Sequence, residues 1–394
     1  MRTVLISGAS VAGPALAYWL HRHGFEVTVV EKAPEVRGGG YPIDLRGPAV
    51  DVAGRMGLLP ELRAAHIDTR TITAYDRRGR KIAALDADLL AGSGDDRHLE
   101  VPRGGLASLL YAATKDRVGY VFGDSIRTLE QDAGGVRLTF EQGAPRTVDL
   151  VVGADGVHSL TRGLAFGPEE DYFHYLGLCF GGFTVPNAGG LAYEVVLQTE
   201  VGRGLALYAV RDQPWVHALA GFAGPQPPRG WTPGDLRAMV ASRLADFGGE
   251  APRVLAALRT ADDLYYDMVG QIRMPGWSAG RVAVVGDAAY APSFLSGQGT
   301  SLALVGAYVL AGELARAGGD HVAGYAGYER VMRDFVRQNQ ELAGKGSATV
   351  APRTRAQLWA RNRALRLMPL LARLGLAGRL ERRPAYTAID LPDY

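Results

Sequence analysis

The chain has 394 residues, of which 47% are hydrophobic, and a formal net charge of +2. That length suggests two or three domains, and that apolar content is ordinary for a globular protein with a real core. Near-neutral charge excludes a surface built to attract nucleic acid or an anionic membrane, and a single cysteine, Cys179, excludes an internal disulfide or a cysteine metal cage.

The opening residues read directly as a strand, with no signal-peptide pattern. The longest apolar run, 302–312, falls well short of the ~20 residues a membrane span needs. The expectation is a cytoplasmic protein with no stable membrane insertion.

Val4-Leu5-Ile6-Ser7 is a short apolar run ending at Gly8, as in a buried parallel strand. From Val11 to His23, apolar residues recur at helical spacing, and Gly24 closes the helix. Residues 25–30 form a second strand, with Glu31 at its end, close to the ~20-residue spacing of a dinucleotide fingerprint. Gly8 permits the sharp turn, Gly13 lets helix and strand pack closely, and the helix N-terminus points free N–H groups at a pyrophosphate. Ser10 stands where the middle glycine belongs; it is small, and its hydroxyl can donate to a phosphate oxygen. A nucleophile elbow is excluded, because it requires glycine where this chain has Ala12.

The segment 70–85 reads as two strands around a turn at Arg77 to Gly79. A second junction, "TVDLVVGADGVHSLTR" (147–162), has a strand over 148–152, then Asp155-Gly156 and a helix start. Residues 171–225 read as strands separated by Gly, Pro and Asn turns, together with 70–85 forming one mostly antiparallel sheet. Phe180, Phe183, Tyr208 and Phe222 are candidate pocket aromatics there, with plain sheet core as the competing role. A third junction, 280–314, runs from strand 282–285 through Gly286-Asp287 and Gly297-Gln298-Gly299 into a long apolar helix. Asp155 and Asp287 each sit just past a strand end, where a carboxylate either meets a sugar hydroxyl or caps a helix. The stretch from Thr354 to Arg383 carries Leu358, Leu365, Met368, Leu371 and Leu374 at helical spacing. It is expected to dock on its own protein, with Pro352 and Pro369 dividing it into separate helices. His21 and His23 read as surface residues, and no metal site is expected.

These three junctions carry a resemblance that spans nearly the whole chain. It is similar to the FAD-dependent aromatic hydroxylases, the single-component flavoprotein monooxygenases typified by para-hydroxybenzoate hydroxylase. Its nearest likeness is to the tetracycline-modifying and polyketide-hydroxylating branches. The resemblance implies an α/β fold: a Rossmann-like parallel sheet for FAD, an inserted mostly antiparallel sheet for substrate, and C-terminal helices. It divides the chain into 1–68, 99–170 and 270–345 for FAD, 69–98 and 171–269 for substrate, and 346–394 for the helices. It places Gly8, Ser10, Val11, Ala12, Gly13, Glu31 and Lys32 along the ADP half of FAD. Asp155 and Gly156 would serve both FAD and the nicotinamide donor. Gly286 and Asp287 would reach the ribityl-phosphate part, and Pro292, Gly297, Gln298 and Gly299 would line the flavin. Arg103, in "EVPRGGLASLL", would begin a helix and contact the flavin, and Arg46 would lie near its edge. Phe294 joins the candidate substrate residues. The chain departs from the family at Tyr290, which replaces a histidine, and at Ser293 and Phe294, which replace a proline pair, so the residues beside the reacting flavin edge differ.

The implied function is NAD(P)H- and O2-dependent hydroxylation of an aromatic or polyketide-like molecule through a flavin C4a-hydroperoxide. NADH or NADPH would visit transiently, since no second complete fingerprint is present, and no amino acid need act as the reagent. The expected partners are a hydrophobic or aromatic small molecule and O2, not nucleic acid, with the protein a monomer or homodimer. The alternatives are an FAD-dependent dehydrogenase or oxidase, and a non-catalytic FAD-bearing protein that binds a metabolite.

Overall fold

Thr3–Ser7 is apolar without polar alternation, and it becomes an inner strand of a six-stranded sheet. The computed structural model describes residues 2–38, 41–87, 98–210, 213–226, 232–373 and 389–394. The sheet runs Ser278–Ala279, Val282–Val284, Leu150–Gly153, Thr3–Ser7, Glu26–Glu31, Gly119–Phe122. Every neighbouring pair is parallel except the first. Ser7 pairs with Gly153, and Gly153 with Val284. The three junctions therefore end side by side at the carboxyl edge, where ligands of open α/β sheets gather.

The expected strand 148–152 divides at Asp149. Arg146–Val148 pairs antiparallel with Gly135–Phe140 in a separate three-stranded sheet, while Leu150–Gly153 enters the parallel one. Asp149 fixes the switch by accepting from the Thr3 amide at 2.7 Å and the Thr3 hydroxyl at 3.0 Å. Helix Ala12–Arg22 packs on Gly299–Arg316, whose residues from Ser301 to Leu314 are buried throughout.

The second large sheet has seven strands: Tyr265–Ile272, Phe173–Pro186, Trp215–Ala223, Arg203–Ala209, Glu194–Glu200, Thr71–Asp76, Lys81–Asp86. Its pairs are antiparallel apart from Glu194–Glu200 with Thr71–Asp76. It thus joins sequence-distant parts, as expected. Side chains alternate between its two faces. One face packs Cys179, Phe183, Leu207 and Phe222 against helices Pro233–Leu244 and Ala251–Leu258, through Val240 and Val254. The other gathers Leu178, Phe180, Leu219 and Val269 with Tyr41 and Leu295 from the parallel-sheet side, and with Ala351. Cys179 is buried and unpaired, a core residue as its pattern suggested.

Helix Arg355–Arg373 docks on the seven-stranded sheet: Leu365 and Met368 meet Ala74, Ile82, Ala83 and Leu85. The expected break at Pro369 does not occur. Pro369 lies inside the helix, one turn from its end, where the missing N–H removes a single hydrogen bond. Leu374 and Arg383 lie outside the described residues. Residues 389–394 return to the helix Gly299–Arg316. Tyr394 donates to Glu313 at 2.8 Å, its ring lies beside Gly312, Asp393 pairs with Arg55 at 2.9 Å, and the Pro392 carbonyl accepts from Tyr308 at 2.7 Å. Among the described residues, no helix is long and apolar enough to cross a membrane, and no cluster of metal-ligating side chains is present.

Candidate functional site

At the first junction Gly8 has φ +108°, and a Cβ there would lie 2.5 Å from the Ala154 carbonyl oxygen. A Cβ on Gly13 would lie 1.9 Å from the Gly8 carbonyl oxygen, so both positions require glycine. The helix that starts at Ala12 after Val11 has no capping side chain and no acidic residue in its first turn. Its leading N–H groups are thus left for an anion. Glu31 holds the turn in shape, accepting from the Ala9 amide at 2.8 Å and the Ala33 amide at 3.0 Å. Lys32 is exposed. Ser10 is pinned by Arg103, the first residue of helix Arg103–Ala112, whose Nη2 donates to Ser10 Oγ at 3.3 Å.

The second junction uses its carboxylate internally. Asp155 accepts from the Thr161 amide at 2.9 Å and the Thr161 hydroxyl at 2.9 Å, and also from the Ser159 hydroxyl. It therefore caps helix Leu160–Phe166. Gly156, with φ +85°, borders open space. Two residues on, His158 bridges Glu169 at 3.0 Å and Asp267 at 3.1 Å. Those hydrogen bonds, Asp267 first, raise its pKa to about 10, so the ring is a cation at neutral pH. Asp267 also accepts from the Tyr265 hydroxyl at 2.6 Å.

At the third junction a Cβ on Gly286 would press on Ala12 at 2.9 Å, which brings this loop onto the first. Asp287 has no side-chain hydrogen bond among the described residues. Desolvation raises its pKa against the attraction of Arg103, yet the residue remains partly accessible to solvent, as expected of a carboxyl lining a cleft. A Cβ on Gly299 would lie 3.4 Å from Asp287 Oδ1, and one on Gly297 3.5 Å from Asp44 Oδ2. Between these glycines, Gln298 is buried with its Oε1 unpartnered. Arg46 pairs with Asp44 at 2.9 Å, and its amide donates to Ser301 Oγ at 3.2 Å. His98 Nε2 lies 2.9 Å from the other Asp44 oxygen. Desolvation pushes the Asp44 carboxyl up, but His98 and Arg46 outweigh it and hold the pKa below its ordinary value.

Tyr290 corrects an expectation. It does not line the cleft but is buried, with its hydroxyl 3.0 Å from that of Tyr328 and packed against Gly306. The Pro292 carbonyl accepts from Gln271 Nε2 at 3.0 Å. Ser293 adopts φ +87°, strained for a non-glycine residue, and this turn brings Phe294 to the cleft. Phe294 stacks on Phe180 at 5.1 Å and meets Tyr41 edge-on at 5.5 Å. Tyr265 stands 5.8 Å from Phe180. Phe180, Tyr208 and Phe294 thus gather on the cleft side, while Phe183 and Phe222 belong to the opposite face of the sheet and pack on helices. Sequence reasoning passed over Tyr41, Tyr265, His158 and the Asp44–His98 pair. Tyr41 carried one signal, an aromatic directly after the Gly38-Gly39-Gly40 run.

This geometry fits FAD: three glycine-bearing loops converge, one helix start lacks a cap, and a recessed carboxyl lacks a partner beside an aromatic wall. The comparisons with known proteins agree. Residues 1–339 match the family described as FAD binding domain. An uncharacterized protein of Mycobacterium tuberculosis is 43% identical over 354 residues, covering 89% of this chain and 95% of that one. A flavin-dependent monooxygenase of an unknown prokaryotic organism is 36% identical over 342 residues, covering 86% of this chain and 88% of that protein. The crystal structure of tetracycline destructase Tet(55) superimposes with a TM-score of 0.84 at 34% identity, covering 100% of this chain and 99% of the other. The chain belongs to the FAD-binding monooxygenase family and is an oxidoreductase whose cofactor is FAD.

Proposed function

We propose that this enzyme takes electrons from NADH or NADPH and uses O2 to hydroxylate an aromatic or polyketide-like small molecule. The observation that carries the reading is Asp287: a recessed carboxyl with no hydrogen-bond partner among the described residues, facing Arg103, beside the aromatic group Tyr41, Phe180 and Phe294. The relatives named as flavin-dependent monooxygenases and the tetracycline destructase support it.

When bound, FAD supplies the electron transfer and the oxygen activation. The residues of this chain bind, orient and shield. Gly8, Gly13 and the uncapped helix start after Val11 and Ala12 accept the pyrophosphate, with Ser10 and Arg103 beside them. Glu31 accepts from the ribose hydroxyls, with Lys32 at the rim. Asp287 would accept from the ribityl chain, and the backbone of 297–299 would help hold the ring system. Gly156 leaves room for the visiting nicotinamide, while Asp155 keeps that loop in shape. Tyr41, Phe180, Tyr208 and Phe294 form the apolar side of the substrate cleft and keep water from it. Residues 1–68, 99–170 and 270–345 make up the cofactor unit, 69–98 and 171–269 the substrate sheet, and 346–394 the closing helices, in a monomer or homodimer.

The test is ligand-dependent NAD(P)H oxidation by the FAD-loaded protein, with O2 uptake and product followed together. The expected outcome is acceleration by an aromatic ligand and one oxygen atom in product per O2 consumed. Oxidation without oxygen transfer would make the protein an oxidase or dehydrogenase. Absence of NAD(P)H oxidation with every ligand would make it a metabolite-binding flavoprotein.

A further inference from the structure

Helix Arg355–Arg373 presents an apolar stripe to the seven-stranded sheet, made by Leu358, Leu365 and Met368. At helical spacing between Leu358 and Leu365 the stripe carries an arginine, Arg361, which is itself half-buried. Its Nε is buried without a partner. Among the described residues its one hydrogen bond is a long one, 3.3 Å, from Nη1 to the side chain of the adjacent Asn362, and no carboxylate pairs with it. Desolvation lowers its pKa. An arginine is rarely left in this condition, since a buried unpartnered charge destabilises the fold.

The surroundings indicate what its partner is. Just before this helix, Ala351 belongs to the cluster of Phe180, Leu219, Tyr41 and Tyr208, on the cleft face of the sheet. Further along, Leu365 meets Ala74 and Leu85. Ala74 pairs with Ala83, and the strand carrying Ala74 pairs with that of Val195, which lies opposite Tyr208. These positions share one face of the sheet. Arg361, one turn before Leu365, therefore lies on the helix side turned to the same sheet face as the aromatic cleft. The hydroxyls of Tyr41 and Tyr208, in the cluster on that face, accept and donate no hydrogen bond among the described residues. Both are kept protonated by desolvation.

We propose that Arg361 is an anion-binding group of the substrate cleft, so that this enzyme selects aromatic substrates bearing an ionised oxygen, an enolate or phenolate, on the end remote from the flavin. The proposal rests on the substrate cleft assigned above. A planar guanidinium in an apolar wall binds such an oxyanion through paired N–H donors, and the desolvation already present strengthens that bond.

The test uses 2-hydroxy-1,4-naphthoquinone, an acidic enol, and its neutral methyl ether. Binding to the FAD-loaded protein is read by ultrafiltration and the quinone's own absorbance, so it does not depend on turnover. Wild type should bind the enol about tenfold tighter than the ether, the worth of one charge-assisted hydrogen bond. Arg361→Met should abolish that preference, Arg361→Lys should keep part of it, and Arg363→Met, on the exposed side of the helix, should leave it intact. Arg361→Met should also hold or raise the melting temperature, because an unpaired buried charge is removed, whereas a purely structural arginine would lower it. Equal binding of the two probes by wild type, no binding of the enol, or an unchanged preference in Arg361→Met overturns the proposal. Failure to retain FAD would instead overturn the cleft assignment on which it stands.

Discussion

Two junctions of the parallel sheet carry the same short pattern, strand, glycine, aspartate, and put the aspartate to opposite uses. At 150–162 the carboxylate of Asp155 is consumed by Ser159 and Thr161, which follow it at four and six positions and begin a helix. At 282–300 the four residues after Asp287 are alanines and a tyrosine that turns inward, and among the described residues no hydrogen bond satisfies its carboxyl. The carboxyl past one strand end is thus spent as a helix cap, while the other stays free to meet a ligand, the role proposed above. The polar groups that a protein leaves unsatisfied are the better guide to its cofactor than the motif itself.

The comparison can be broken or sharpened experimentally. The largest effect should come from the shared frame: Gly13→Val, whose side chain would collide with the Gly8 carbonyl, should purify without flavin colour. Next, Asp287→Asn should weaken FAD retention by about tenfold, the worth of a charge-assisted hydrogen bond, without lowering the melting temperature of the flavin-free protein. Asp155→Ala should do the reverse, losing about 1–2 kcal/mol of stability in denaturant titration while FAD affinity changes little. Equal FAD loss in both would erase the distinction drawn here. A smaller effect is expected in the core behind the third junction. Gly306→Ala should destabilise, and adding Tyr290→Phe, which removes the clashing hydroxyl, should recover about 1–2 kcal/mol in a double-mutant cycle. Unchanged oxygenation in Tyr290→Phe would agree with its inward position.

The smallest effect concerns His158. Its folded pKa, about 10, exceeds the ordinary 6.5, so the folded state holds a proton that the unfolded chain releases. The stability it contributes is complete below pH 6.5 and fades as pH climbs toward 10. His158→Gln should flatten the decline of melting temperature across that window; because half the ring is exposed, the change should be modest.

Much of this was legible in the sequence, for definite reasons. Gly8 and Gly13 were readable because each position tolerates one residue type, and the seven-stranded sheet because its runs are bounded by turn residues. Arg103 was placed correctly at the start of a helix, but its bond to Ser10 joins positions 93 apart and leaves no local trace. The pocket aromatics depended on parity. Phe180 and Phe183 are three residues apart on one strand and so must face opposite sides, and Phe222 pairs with Cys179 rather than with Phe180. Once the register is known, the choice between them follows. Tyr290 could not be read at all, because its inward course depends on Gly306 and Tyr328, which lie well downstream.

The return of residues 389–394 to the helix that begins at Gly299 has a consequence for how the molecule is assembled. Its bond from Arg55 to Pro392 closes a loop of 337 positions, among the most distant pairings the chain makes. Closing so long a loop is slow, and it must wait until residues 389–394 have been made. Until then the Gly312 side of that helix is left bare, a strip prone to association before Tyr394 covers it.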